Sequence, residues 1–298
     1  MSFARHFMLI NADGEEYDIT NTKVLLTSPS GLGMKRENSY RRIGNRFYLL
    51  SVKRGQENFK GELTFTPPDA YIKYNEFMAF CTKEPLKLRY KPIDNQEYYE
   101  IRGSYPKWDY VFYQDVMLAS IEKADLTKWE TLECNIELTP LTPWYRDLTL
   151  MSTIVDKDDG VVWEQSSTFT WKWENGSVNN IQFEADCQMD SPCKLMIPGP
   201  ATSILWRHYV NSKEIEQGSL DFVIPFGHYL VIDNTGETYT ITLQKENGEI
   251  INDIYQNVDF LKDKFLNIKN GINSIVANLG DSGNYPMILE VKLYYESV

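Results

Sequence analysis

Gly280-Asp281-Ser282-Gly283 is the stretch of this chain nearest to a catalytic motif, because a serine between glycine and aspartate resembles the nucleophile loop of trypsin-like proteases. Such a serine becomes a nucleophile only when a histidine takes its proton. The following residue is Asn284 rather than glycine, and His6, His208 and His228 are scattered among strand-like segments without a partner motif. The stretch therefore reads as a turn before the last strand. Asp156-Lys157-Asp158-Asp159-Gly160 is acidic enough to attract calcium but lacks the ligand spacing and closing glutamate of a calcium loop, and reads as a solvated linker. Ser28-Pro29-Ser30-Gly31-Leu32-Gly33 has no Gly-Lys-Ser/Thr with which to cradle a phosphate. Cys187 and Cys193, flanking Asp190-Ser191-Pro192, could pair in a loop or bind metal with distant partners. No second Cys/His pair has zinc-like spacing, so reduced thiols are expected. Cys81 and Cys134 sit in apolar-periodic segments, where cysteine acts as a small hydrophobe. Carboxylate pairs for glycoside hydrolysis are set by space rather than spacing, and nothing in the sequence points to them. The expectation is no catalytic residues, no metal and no cofactor.

Two clusters rise above that background. Residues 35–54 hold Lys35, Arg36, Arg41, Arg42, Arg46, Lys53 and Arg54 against Glu37 alone, a local net charge of +6. A solvated loop would explain them, but charge this concentrated repels itself, so an acidic partner surface is the sharper reading. The acidic second half, a neighbouring subunit or another protein could each supply it. The other cluster is aromatic: Trp163, Phe169, Trp171 and Trp173 in one span, with Trp206 later. Trp171 and Trp173 would share one strand face. Core filling accounts for such residues, and stacking on a sugar ring is the alternative, with Trp171, Trp173 and Trp206 as candidate contacts.

The elements that must position these residues are mostly strands. Nineteen tyrosines and seven tryptophans, together with many Thr, Val and Ile, favour sheet over helix. Lys23–Leu26, Phe47–Val52, Leu63–Phe65, Lys87–Lys91 and Tyr98–Arg102 are β-prone. Lys53-Arg54-Gly55-Gln56-Glu57-Asn58 reads as the link of a long hairpin between Val52 and Phe59. Leu132, Cys134, Ile136 and Leu138 alternate with polar residues, the pattern of a half-buried antiparallel strand. Thr66-Pro67-Pro68-Asp69 resembles a helix start, which could slip to Asp69. Behind it Tyr71, Tyr74, Met78 and Cys81 form one helical face ending near Thr82. Farther on, Tyr239, Ile241 and Leu243 alternate with threonines, and Leu289, Val291, Leu293 and Tyr295 mark the last strand. Asn175-Gly176, Asp233-Asn234-Thr235-Gly236 and Asn247-Gly248 supply turns. This second part reads as a β-sandwich or jelly roll.

Thr139-Pro140-Leu141-Thr142-Pro143-Trp144-Tyr145-Arg146-Asp147 divides the chain. Residues 1–150 hold 20 Lys+Arg and 21 Asp+Glu, and residues 151–298 hold 10 and 21. A shift of composition across a proline seam marks a boundary, here between residues 1–147 and 148–298. The total charge of -12 argues against generic nucleic-acid or anionic-membrane binding. No stretch approaches the apolar length of a membrane span, and the N-terminus makes a poor signal peptide, so synthesis in a cytoplasm is expected.

Four segments, in order, resemble the distal tail proteins of long-tailed, non-contractile bacteriophages. They are Ser30-Gly31-Leu32-Gly33-Met34 with its basic run, the helix around Tyr71–Phe80, Leu138–Tyr145, and Phe265–Ile275 with its Gly271-Ile272-Asn273 turn. The resemblance implies a structural protein in a six-membered ring beneath the tail tube. Its N-terminal domain would form a belt through β-strands and a long hairpin, and its C-terminal domain would be a galectin-like β-sandwich. The implied partners are the tail tube protein, a tail-associated lysin or fibre and, in some phages, a receptor-binding protein. The implied location is the virion. The residues of the basic run, 35–54, are then candidate contacts to an adjacent subunit or a tail partner. The rival readings are a carbohydrate-binding accessory protein and a cell-wall hydrolase.

Overall fold

The computed structural model describes residues 5–92, 111–155, 178–236, 238–259, 262, 265–279 and 285–298. Tyr98–Arg102, Asp156–Gly160, Trp163, Phe169, Trp171, Trp173, the Asn175-Gly176 turn and Gly280–Gly283 lie outside the described residues. Among the described residues the chain is mainly β with one α-helix. It forms two compact units, Met1–Arg146 with Tyr295–Val298, and Asp147–Tyr294.

The first unit contains β1 (His6–Ile10), β2 (Glu16–Asp18), β3 (Val24–Ser30), β4 (Met34–Ile43), β5 (Arg46–Gln56), β6 (Phe59–Phe65), α1 (Ala70–Cys81), β7 (Leu86–Lys91), β8 (Phe112–Lys123) and β9 (Leu132–Pro140), and β10 (Trp144–Met151) begins in it. The antiparallel path β2-β1-β7-β8-β9-β6-β3 closes on itself. Leu26 N–H donates to Ile19 C=O at 2.8 Å, and Thr20 bridges Leu25. Closure removes the open edges that would otherwise template aggregation. β8 serves two neighbours: Leu86–Tyr90 pair with its first half, and a bulge after Leu118 turns its second half onto β9. The interior is filled by alternate residues, among them Phe7, Leu9, Phe59, Leu63, Phe65, Leu88 and Val116. The expected alternation on β9 holds, with Leu132, Cys134, Ile136 and Leu138 all buried.

Helix α1 starts after Asp69, whose backbone is left-handed (φ 63°), so the later of the two expected starts is realised. Its buried face is Ala70, Phe77, Phe80 and Cys81, while Tyr71 is exposed. The expected face is thus rotated by about one residue. The reason is what the helix meets: Phe77 packs on Tyr17 and Phe65, and Phe80 on Tyr17. No helix among the described residues is long and apolar enough to cross a membrane.

The second unit contains β11 (Thr153–Val155), β12 (Val178–Ala185), β13 (Ser191–Pro198), β14 (Ile204–Val210), β15 (Lys213–Leu220), β16 (His228–Asp233), β17 (Thr240–Lys245), β18 (Ile250–Asp253), β19 (Asn267–Ile268), β20 (Gly271–Asn278) and β21 (Ile288–Tyr295). One antiparallel sheet runs β11-β12-β20-β14-β15, and a second runs β21-β13-β16-β17-β18 with β19 beside β13. Leu195, Ile197, Leu289, Val291 and Leu293 from one sheet, and Ile204, Trp206, Ile275 and Ala277 from the other, are buried. Two sheets, each burying alternate residues, make a β-sandwich. The Asn247-Gly248 turn joins β17 to β18 as expected, with Gly248 at φ 82°. On β17 the expected alternation fails: Ile241, Thr242 and Leu243 are buried in succession and Tyr239 is exposed. A strand covered on both faces has no polar side to alternate with.

Candidate interaction surface on the β4–β5 hairpin

Strands β4 and β5 form a two-stranded sheet of their own, inserted between β3 and β6. Their turn is not the charged link after Val52. Ile43 pairs with Arg46 across Gly44-Asn45, and Lys53, Arg54, Gly55 and Gln56 continue the ladder opposite Glu37, Arg36, Lys35 and Met34. Gly44 has φ 60° and Asn45 does not share the positive φ, as in a type II′ turn. The hairpin expectation was right in kind and wrong in place, because β5 runs farther than its apolar stretch.

Register sorts the side chains onto two faces, since paired residues point the same way. One face carries Met34, Arg36, Asn38, Tyr40 and Arg42 together with Gln56, Val52, Leu49 and Phe47. The other carries Lys35, Glu37, Ser39, Arg41 and Ile43 opposite Gly55, Lys53, Ser51, Tyr48 and Arg46. Arg54 stands opposite Arg36 in the register. A bulge between Ser39 and Tyr40 leaves Leu50 as the extra residue and switches the parity of β5. The basic residues are therefore brought onto one arm but divided between its faces. Arg36 and Arg42 stand on the aromatic face of Tyr40 and Phe47, and Lys35, Arg41, Arg46 and Lys53 on the other, beside Ile43 and Tyr48. Arg42 lies over the Phe47 ring at 5.8 Å, and its Nε donates to Gly44 C=O at 2.9 Å. Lys35 pairs with Glu37 at 3.1 Å.

The feature that sequence reasoning missed is apolar. Phe47 is 69% exposed, Leu50 63% and Tyr40 57%, and Ile43, Tyr48, Leu49 and Val52 are exposed as well. An isolated two-stranded hairpin is at best marginally stable in water, and apolar surface on this scale marks an interaction site. The signal in the sequence was the unbroken Phe47-Tyr48-Leu49-Leu50, which alternation cannot bury on one side.

The neck of the arm is held tightly. Gly31 is buried at φ 87°, and a Cβ there would run into the carbonyl of Asn58. Val298 N–H donates to Leu32 C=O at 3.1 Å, and Gln56 Nε2 to Glu296 C=O at 3.2 Å. Asn58 donates to Glu137 at 2.7 Å and Lys60 lies 3.1 Å from the same oxygen, which together hold the Glu137 carboxyl below its usual range.

Among the described residues the remaining candidates assemble no reactive set. His208 is buried between Glu216 Oε2 at 3.0 Å and Asn273 Oδ1 at 2.9 Å. Asn273 Nδ2 in turn donates to Lys269 and Gly271 carbonyls, so Gly271-Ile272-Asn273, expected as a turn, instead opens β20 and closes a bonded network inside the sandwich. His208 thus pins three segments, β14, β15 and β20, together. All four cysteines are free and buried, and burial pushes Cys81 up to about 12 and Cys134 to about 11. Among the described residues no group of three or more His, Cys, Asp or Glu is placed to hold a metal ion. Trp206 is fully buried, its indole filling the space beside Gly218, so no sugar ring can stack on it in this fold.

Residues 6–102 match the family model described as the distal tail protein N-terminal domain. Two solved structures share the fold over nearly the whole chain. One is a chain of the phage P2 baseplate in its activated conformation with calcium, with TM-score 0.59, 16% identity, and 99% of this chain and 100% of that one covered. The other is the SPP1 Dit protein (gp 19.1), described as a paradigm of the hub adsorption apparatus in phages infecting Gram-positive bacteria, with TM-score 0.57, 11% identity, and 96% and 98% covered. No curated protein matches the chain.

Proposed function

We propose, from the match of residues 6–102 to the distal tail protein N-terminal domain, that the chain forms a ring hub at the distal end of a phage tail. The ring joins the tail tube to tip and host-adsorption proteins, among them a tail-associated lysin or fibre and a receptor-binding protein. Its work is mechanical rather than catalytic, it is made in the cytoplasm of a bacterial host, and it is carried in the virion.

The observation that supports this reading best is the β4–β5 arm. It projects seven exposed large apolar side chains and a net charge of +6, and among the described residues it pairs with no other strand. The rest of residues 1–150 holds 13 Lys+Arg against 20 Asp+Glu, net -7. A basic arm and an acidic body on the same unit favour head-to-tail contact between copies. A heterologous contact that closes produces a ring. Charge complementarity of this kind speeds and orients association, while the apolar face supplies the affinity.

The test is light scattering across a concentration series followed by negative-stain imaging. The expected result is a ring six times the mass of the chain, dispersed by the double charge reversal Arg41→Glu, Arg42→Glu. A chain that is monomeric at every concentration, or an assembly indifferent to the reversal, overturns the role given to the arm.

A further inference from the structure

The geometry points to the β8–β9 turn, anchored on Trp129, as the surface that receives the β4–β5 arm of a neighbouring copy. The inference rests on the ring reading above and names the partner surface that reading leaves open.

The first observation is Trp129 itself, 73% exposed and more so than any other large apolar side chain among the described residues. Leu126 beside it is also exposed. Exposed tryptophans on rigid supports are the residue type that most often dominates an interface. This support is rigid. Thr127 N–H donates to Thr131 C=O at 2.9 Å, and Glu130 N–H to Thr127 C=O at 3.0 Å. The hydroxyls of Thr127 and Thr131 meet at 2.6 Å, and Trp129 N–H donates to Thr127 Oγ1 at 3.3 Å. Glu130 takes a left-handed backbone (φ 59°) to close the turn. Lys128 Nζ lies 5.3 Å from the centre of the Trp129 ring, which leaves its other face and edge to a partner, and an ordered turn that presents an indole in this way loses little conformational entropy when it docks.

The second observation is charge. Glu122, Asp125, Glu130 and Glu133 flank the turn, against Lys123 and Lys128. Lys123 is drawn over the Tyr71 ring at 4.9 Å. The surface is therefore apolar at its centre and acidic at its rim, the complement of an arm that is aromatic on one face and basic around it. Arg36 and Arg42, on the aromatic face, are placed to stack on an indole.

The third is position. On β6, Phe59 pairs with Leu138 at the end of the barrel from which the arm leaves, and Phe65 pairs with Leu132 at the end where the β8–β9 turn sits. Six strand steps separate the two ends by about 20 Å. Arm and receiving turn at opposite ends of one barrel are what a head-to-tail contact requires.

The experiment uses the full chain. Because the four native thiols are buried, Leu49→Cys, on the same face as Phe47 and Arg42, and Lys128→Cys variants can be mixed under mild oxidation, with Asn247→Cys on the second unit as the control partner. The disulfide joining position 49 of one copy to position 128 of another is expected in excess of the product joining positions 49 and 247. Equal yields overturn the inference. Sedimentation of Trp129→Ala and Phe47→Ser follows, with unfolding curves as a check on the fold. Both are expected to weaken self-association at least about tenfold. Loss with Phe47→Ser but not with Trp129→Ala overturns the receiving turn and leaves the arm reading standing. Wild-type association in both variants, or a wild-type chain that never associates, overturns both.

Discussion

Replacing Gly31 by alanine tests how firmly the arm is attached. Gly31 sits at φ 87°, where an L-residue's Cβ crowds its own carbonyl, at a cost of roughly 1–2 kcal/mol. The new methyl would also meet backbone: it collides with the Asn58 carbonyl and comes within 2.8 Å of Phe59 Cα. Backbone cannot rotate aside as a side chain can, and overpacking of this sort costs a further ~1–3 kcal/mol. The expected loss is about 3 kcal/mol, which at ~2 kcal/mol per molar lowers the urea midpoint of the first unit by about 1.5 M. Intrinsic fluorescence would follow it, since Trp144 is fully buried in that unit. Gly33 is the internal control, because a Cβ there meets nothing within 4 Å and its φ is ordinary. Gly33→Ala should fall within about 0.5 kcal/mol of wild type. If Gly31→Ala were equally silent, the neck would not be held as described.

Three other outcomes are expected. Gly218→Ala pushes a methyl into the Trp206 indole, which should cost ~1–3 kcal/mol in thermal unfolding and change the Trp206 emission. His208→Ala removes the bridge between Glu216 and Asn273, while Glu216 keeps the Asn267 N–H and Asn273 keeps Lys269 and Gly271, so a loss of ~1–3 kcal/mol should appear in the same assay. Thiol titration of the native chain at pH 8 should detect no reactive cysteine, and all four should appear in denaturant, because burial keeps each thiol covered and raises Cys81 to about 12 and Cys134 to about 11. Rapid native labelling would contradict that burial.

Part of the arm was legible in the sequence alone. Seven basic residues in twenty announce an unusual surface wherever they fold, because like charges this close cannot all be paired locally. The turn was misplaced because Lys53–Gln56 look like a link, whereas cross-strand pairing with Met34–Glu37 keeps them in strand. The apolar half of the surface escaped notice for a physical reason: Phe47, Leu49 and Leu50 have the same chemistry inside a barrel or outside it. The receiving turn gave less warning still, since one tryptophan between a lysine and a glutamate carries no period.

Neighbours along the chain settled part of this fold. The alternation of Leu132, Cys134, Ile136 and Leu138, and of Leu289, Val291, Leu293 and Tyr295, committed those segments to half-buried strands, because successive side chains of a strand point to opposite sides. The order of four loose motifs was enough to point to the family whose N-terminal domain matches residues 6–102. Distant partners settled the rest. They turned α1 so that Phe77 rather than Tyr71 faces inward, and set Gly31 against the Asn58 carbonyl while leaving Gly33 free. They also buried Trp206 against Gly218 and left Trp129 and Phe47 in water. Burial is a property of contacts between residues far apart in the chain, and no local pattern carries it.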